Sequence, residues 1–168
     1  LKEKIPVVDG DLVSRKIVEK NSPALKEIVA YFGEDILQAD GTLNRKILGK
    51  RVFAKKELLQ KLNDIMDPYL RNAFLKEING AKEKNIPLIV LDIPLLYEEN
   101  YDQYCEQVMV VWVPENIQKN RLMKRDQLTE IEAEKRMASQ LSLNEKKRLG
   151  DIIIDNTATK RKTEEQVL

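Results

Sequence analysis

Asp9 and Asp11 follow the apolar run Ile5 to Val8, and a third acidic residue, Asp92, follows the run Leu88 to Leu91. A carboxylate at the end of a strand can accept the proton of an attacking hydroxyl, as in phosphoryl transfer, and that role suits Asp11. Asp92, in the corresponding position of its own run, can reach a metal directly or through water. Asp and Gly are also what a strand-to-helix turn prefers, so a turn with a helix cap explains Asp9-Gly10-Asp11 as well, and a turn or cap role explains Asp92. The basic residues lie elsewhere. Arg121 and Arg125 are four apart within Asn120 to Asp126, so on a helix both guanidinium groups leave one face and can hold phosphate oxygens bidentately. Arg136 could close over the same anion. The alternative is a solvated face paired with Glu115, Asp126 and Glu132.

The chain contains no histidine among its 168 residues, which excludes Ser-His and Cys-His nucleophiles, His-ligated zinc and His acid-base catalysis. Catalysis has to rest on carboxylates, Lys and Arg. The single cysteine, Cys105, has no basic cluster beside it and reads as an ordinary residue. Without an internal disulfide, a membrane-length apolar stretch or a signal-like start, the sequence reads as cytoplasmic with no membrane partner. Lys plus Arg is 29 against 28 for Asp plus Glu, so no global field points to nucleic acid, and any basic site is local. Nothing in the sequence specifies an oligomeric state.

Four continuous apolar runs, Ile5 to Val8, Leu88 to Leu91, Val108 to Val113 and Ile152 to Ile154, read as strands buried on both faces. Their alternation with helical patterns predicts an α/β fold with a parallel sheet, in which ligands bind beyond the carboxyl ends of the strands. The acidic segments at Asp9 to Asp11, at Asp92 and at Asp155-Asn156 would then converge on one edge. The interval between the first two runs is helical in pattern, with Ser22-Pro23 opening a helix, Gly33 ending it and Asp40-Gly41 turning the chain. Asp67-Pro68 is expected to end one helix and start the next. So much helix exceeds what a crossover needs and predicts a helical substrate-binding lobe. Thr129 to Glu132 and Ser142 to Glu145 are capping boxes that open two further helices, and Lys160-Arg161-Lys162 reads as a solvated helix start.

Taken in order, Pro6 to Asp11, Ser22 to Leu25, Tyr31-Phe32-Gly33, Asp40 to Arg45, Leu91 to Glu98, Arg121 to Asp126 and Ile154-Asp155-Asn156 resemble the dephospho-coenzyme A kinase family throughout the chain. The resemblance implies a three-layer P-loop kinase-like domain, with a coenzyme A-binding lobe over residues 22–84 and a lid over 121–148. The implied activity is ATP-dependent phosphorylation of the 3′-hydroxyl of dephospho-coenzyme A, with Mg²⁺ bridging ATP oxygens. Asp11 corresponds to the general base and Asp9 supports substrate or metal-water contacts, with Asp92 on the substrate side. Asn44, Arg45 and Lys46 correspond to contacts with the acceptor's diphosphate or pantetheine arm. Arg121, Arg125 and Arg136 correspond to lid arginines on ATP phosphates, and Asp155-Asn156 to the adenine segment.

The pattern departs from the family in three places. The family's D-A-D appears as Asp9-Gly10-Asp11, which keeps both carboxylates. The common His-Pro appears as Asp67-Pro68. A P-loop kinase also carries G-x-x-x-x-G-K-[ST], and none of the six glycines belongs to such a loop. Residues 1–6 look like the end of the helix that follows it, so the chain is expected to lack a strand-loop-helix unit of about 30 residues and full activity on its own. Two alternatives accompany this reading: an inactive fragment that binds dephospho-coenzyme A, and a nucleoside or small-metabolite kinase of the same fold.

Overall fold

The computed structural model describes residues 5–167. Of the helix end expected at residues 1–6, residues 1–4 lie outside them, and Ile5 and Pro6 are not helical but lead directly into the first strand. The described residues divide into two compact units, 5–92 and 93–167.

In the first unit, β1 (Val7–Asp9) runs directly into α1 (Gly10–Lys16), followed by α2 (Pro23–Phe32), α3 (Arg45–Phe53), α4 (Lys56–Glu83) and β2 (Val90–Asp92). β1 and β2 pair in parallel with Val7 opposite Val90, Val8 opposite Leu91 and Asp9 opposite Asp92. The α2 boundaries follow from local chemistry: the Ser22 hydroxyl accepts the Leu25 amide at 3.2 Å, Pro23 occupies the first turn, and Gly33 leaves the helix at φ 92°. That backbone region is open to glycine alone at low cost. Arg51 then ties α3 to the end of α2 by donating to the Phe32 carbonyl at 2.5 Å and pairing with Asp35. The core beneath is made by Val18, by Ala24, Ile28 and Phe32 of α2, by Ile36, and by Leu48 and Val52 of α3. Ile28 and Ile36 are fully buried, each contributing about 1.5–3 kcal/mol of transfer free energy.

α4 corrects the expected break at Asp67-Pro68, since it runs through Pro68 for 28 residues. The missing amide and the ring at Pro68 deprive the Asp64 carbonyl of its helical partner, but both residues are exposed and water can serve that carbonyl. On the opposite side Leu58, Leu59, Leu62, Ile65, Met66 and Tyr69 pack against the core without interruption. Arg71 pairs with Asp67 at 2.7 Å across the turn that contains the proline. Packing of a continuous stripe outweighs one lost hydrogen bond at a solvated position.

The second unit contains β3 (Met109–Trp112), α5 (Glu115–Asp126), α6 (Glu130–Ala138), α7 (Leu143–Leu149), β4 (Ile152–Asp155) and α8 (Lys160–Val167). β3 and β4 are parallel, with Val110 opposite Ile153 and Trp112 opposite Asp155. Both expected capping boxes form, at Thr129 with Glu132 and at Ser142 with Glu145. Lys119 joins α5 to α6 through Glu130 at 2.5 Å and Glu134 at 3.0 Å.

The strands are parallel as expected, but they are not buried on both faces. Val8, Val110 and Ile154 are buried, whereas Val7 is 59% and Val111 52% exposed. Among the described residues each unit pairs two of these strands, so each strand has a hydrogen-bonded neighbour on one side, and part of the apolar surface stays exposed. At Gly150, between α7 and β4, a Cβ would come within 2.6 Å of a Val110 methyl and 3.3 Å of Ile153 Cδ1. Gly150→Ala is expected to cost about 1–3 kcal/mol, measured as a lower denaturant midpoint at unchanged slope. A loss under about 0.5 kcal/mol would mean that Val110 can turn away freely.

Candidate functional site

In the first unit the strand-to-helix turn at β1–α1 carries two acidic residues with different partners. Asp9 is the N-cap of α1, its Oδ1 accepting the Leu12 amide at 2.9 Å, so the structural role foreseen as an alternative for this residue is real. Asp11 is in the first turn of the same helix. Its side chain is exposed and, among the described residues, has no hydrogen bond or ion pair; only its main-chain carbonyl is engaged, by Ser14 Oγ at 2.8 Å. The parallel register sets Asp92 beside Asp9 at the carboxyl ends of β1 and β2. Among the described residues no three His, Cys, Asp or Glu side chains cluster as a metal cage.

The same unit contains an open cleft of about 430 Å³ lined by Asn44 and Arg45 together with Arg15, Lys20, Gln38 and Thr42. One wall is shaped by the Asp40 turn, in which Oδ1 accepts the Thr42 amide at 2.9 Å and the Thr42 hydroxyl at 2.6 Å while Gly41 adopts φ 81°. Asn44 caps α3 by accepting the Ile47 amide through Oδ1 at 3.1 Å, which leaves its amide nitrogen for the cleft. Arg45 extends a terminal nitrogen to within 3.5 Å of the Arg15 carbonyl. Burial, and secondarily the neighbouring Arg15, lower the Arg45 pKa from its ordinary value. Lys46 is exposed and does not line the cleft. Arg15 was not singled out from sequence, although its position four residues after Asp11 was a readable signal.

In the second unit, Arg121 and the Asp155-Asn156 segment come together. Arg121 Nη1 donates to the Asn156 carbonyl at 2.9 Å, joining α5 to the end of β4. Asn156 is held further by its amide on the Trp112 carbonyl and by its side-chain oxygen accepting from Thr163 Oγ1, both at 2.9 Å. Asp155 Oδ1 accepts the Thr157 amide at 2.8 Å, and that hydrogen bonding keeps its pKa below the usual carboxylate value. Arg125 and Arg136 meet on one internal anion, Asp126, at 2.8 Å and 2.6 Å. The pairing with Asp126 foreseen as the alternative therefore exists for Arg125 and Arg136, while Arg121 makes no ion pair among the described residues. At Cys105, burial, followed by the charge of Asp102, pushes the thiol pKa up.

A sequence profile described as dephospho-CoA kinase matches residues 2–162. This chain belongs to the dephospho-CoA kinase family. It is 49% identical over 162 residues to a dephospho-CoA kinase of Enterococcus faecalis, covering 96% of this chain and 81% of that protein. It is 46% identical over 166 residues to one of Shouchella clausii, covering 99% of this chain and 84% of that protein. Among solved structures, a dephospho-CoA kinase from Campylobacter jejuni superposes with a TM-score of 0.70 at 27% identity, covering 97% of this chain and 81% of the other. The mixed α/β architecture with parallel strands is that of the family's P-loop kinase-like fold. The family activity is ATP-dependent phosphorylation of dephospho-coenzyme A, the step that yields coenzyme A.

Proposed function

We propose that the two units divide the family's reaction between them. The first, through the lobe at residues 22–84, takes dephospho-coenzyme A, with Asn44 and Arg45 on the acceptor and Asp11 receiving the proton of its 3′-hydroxyl. The second takes ATP, with Asp155-Asn156 beside the adenine and Arg121, Arg125 and Arg136 of a lid at residues 121–148 neutralising charge on the transferring phosphoryl group. The observation that carries this reading is the exposed Asp11 carboxylate in the first turn of α1, which has no side-chain partner among the described residues, in a unit that also holds a basic cleft. Asp9, engaged as a cap through one oxygen, keeps the other for a water or the substrate.

Mg²⁺ would accompany ATP and screen the charge on its phosphates. Asp9 and Asp92, adjacent in register, suit an ion that takes one or two carboxylates and fills its remaining positions with water and phosphate oxygens. The near-neutral net charge favours a small-molecule acceptor over a nucleic acid, and a cytoplasmic enzyme fits the sequence reading. No helix among the described residues is long and apolar enough to cross a membrane.

Phosphorylation of dephospho-coenzyme A, adenosine and nucleoside monophosphates, each with Mg-ATP, tests the acceptor, and Arg121→Ala tests the arginines in the same assay. Dephospho-coenzyme A is expected to be preferred, and Arg121→Ala is expected to lower kcat/KM for ATP by about ten- to a hundred-fold. Preference for a nucleoside would support the small-metabolite kinase alternative. An unchanged rate in Arg121→Ala would leave that side chain with only its bond to the Asn156 carbonyl.

A further inference from the structure

We propose that Arg15 is a specificity-determining residue for the acceptor, forming with Arg45 a two-guanidinium clamp on the diphosphate that joins adenosine to the pantetheine arm. The proposal rests on the reading that the cleft of the first unit takes dephospho-coenzyme A.

Arg15 and Arg45 line one cleft from different helices, an Arg45 nitrogen donates to the Arg15 main-chain carbonyl at 3.5 Å, and the Arg15 charge is near enough to help lower the Arg45 pKa. Neither forms an ion pair among the described residues. The lining carries three cations, Arg15, Lys20 and Arg45, against one carboxylate, Glu19. Lys20 also faces Asp40, whose pKa it helps to lower, so the charge left for a ligand belongs chiefly to the arginines. Like charges placed together at a concave, partly desolvated surface are unfavourable alone and favour an anion that both can bind. Dephospho-coenzyme A carries one anionic group, its diphosphate.

The spacing along α1 links this clamp to the reaction. Asp11 and Arg15 are one turn apart on the same side of a seven-residue helix, a rise of about 6 Å. A ribose whose 3′-hydroxyl meets Asp11 extends its 5′ methylene and first phosphate over a comparable span, towards Arg15. Gln38, which lines the same cleft and donates one amide hydrogen to the Thr42 hydroxyl at 3.0 Å, has a second amide hydrogen to offer as a neutral donor.

Calorimetric titration of the chain with dephospho-coenzyme A, and separately with adenosine, which has the same hydroxyls and no diphosphate, tests the clamp. Arg15→Gln and Arg45→Gln are each expected to weaken dephospho-coenzyme A binding by about ten- to a hundred-fold and to leave adenosine within about two-fold. The double variant should lose less than the product of the two single losses, because both side chains share one anion. If Arg45→Gln weakens binding and Arg15→Gln does not, the clamp is overturned and the acceptor lobe stands. If neither variant weakens binding, both readings fall. Equal losses for dephospho-coenzyme A and adenosine would overturn the clamp in favour of a general disturbance of the cleft, which a shifted thermal midpoint would register.

Discussion

Asp11→Asn is expected to lower turnover by about 10²- to 10⁴-fold, with affinities for ATP and dephospho-coenzyme A changed by no more than a few fold. The substitution keeps the shape of the side chain and removes the oxygen that can take a proton. Because the Asp11 side chain has no partner among the described residues, only the attraction of its charge to the N-terminus of α1, worth about 0.3–1 kcal/mol, is lost, and the thermal midpoint should move by a few degrees at most. Asp9 provides the contrast within the same turn. Its carboxylate caps α1, so Asp9→Ala should lose about 1 kcal/mol of stability while Asp9→Asn keeps the cap. The two neighbouring carboxylates are therefore separable by measurement: Asp11→Asn acts on rate with stability largely kept, whereas Asp9→Ala lowers stability as well. Turnover in Asp11→Asn equal to that of the unsubstituted protein would remove Asp11 from the role of base.

Glu98→Ala is expected to cost about 3 kcal/mol, a fall in thermal midpoint on the order of 10 °C for a chain of this size. Glu98 Oε1 accepts from the Leu141 amide at 2.9 Å and pairs with Lys146 Nζ at 2.7 Å, and Lys146 also donates to the Pro94 carbonyl at 2.9 Å. The two side chains are only 17% and 12% exposed. Truncating Glu98 leaves a half-desolvated ammonium with a single carbonyl partner and strands the Leu141 amide at the entrance to α7. The absolute worth of the pair is smaller than this, since the second carboxylate oxygen is buried without a partner. Glu98→Gln, which retains an acceptor for Leu141, should lose distinctly less than Glu98→Ala. A loss below about 1 kcal/mol in Glu98→Ala would show that water replaces the carboxylate readily and that the α6–α7 junction does not depend on it. Because that junction falls within residues 121–148, rate measurements on Glu98→Gln would also register any role of its geometry in the nucleotide half of the reaction.

The helix boundaries at Ser22, Gly33, Thr129 and Ser142 were legible in sequence because a cap is a contract between residues three or four apart, complete before any tertiary contact forms. The ordered set of acidic turns and arginines was legible for a related reason: residue type and spacing fix what chemistry a segment can offer. Pro68 was misread because the outcome depended on which side of α4 would face the core, and only the packed stripe from Leu58 to Tyr69 reveals that the proline lies on the solvated side. Strand burial was misread for a similar reason, since an apolar run states a preference and only the pairing of strands decides how much of it is met.

The sequence by itself thus determined the local elements, the family and which side chains have the chemistry of a base or a phosphate ligand. Tertiary structure alone decided which partners those side chains have. It spent Asp9 on a cap and left the Asp11 side chain without a partner among the described residues, it set Arg125 and Arg136 on Asp126 while Arg121 went to the Asn156 carbonyl, and it brought the Arg45 side chain to the Arg15 carbonyl from 30 residues away. Such partnerships depend on loop closure and on competition among neighbouring donors and acceptors, and neither quantity is written in the spacing along the chain.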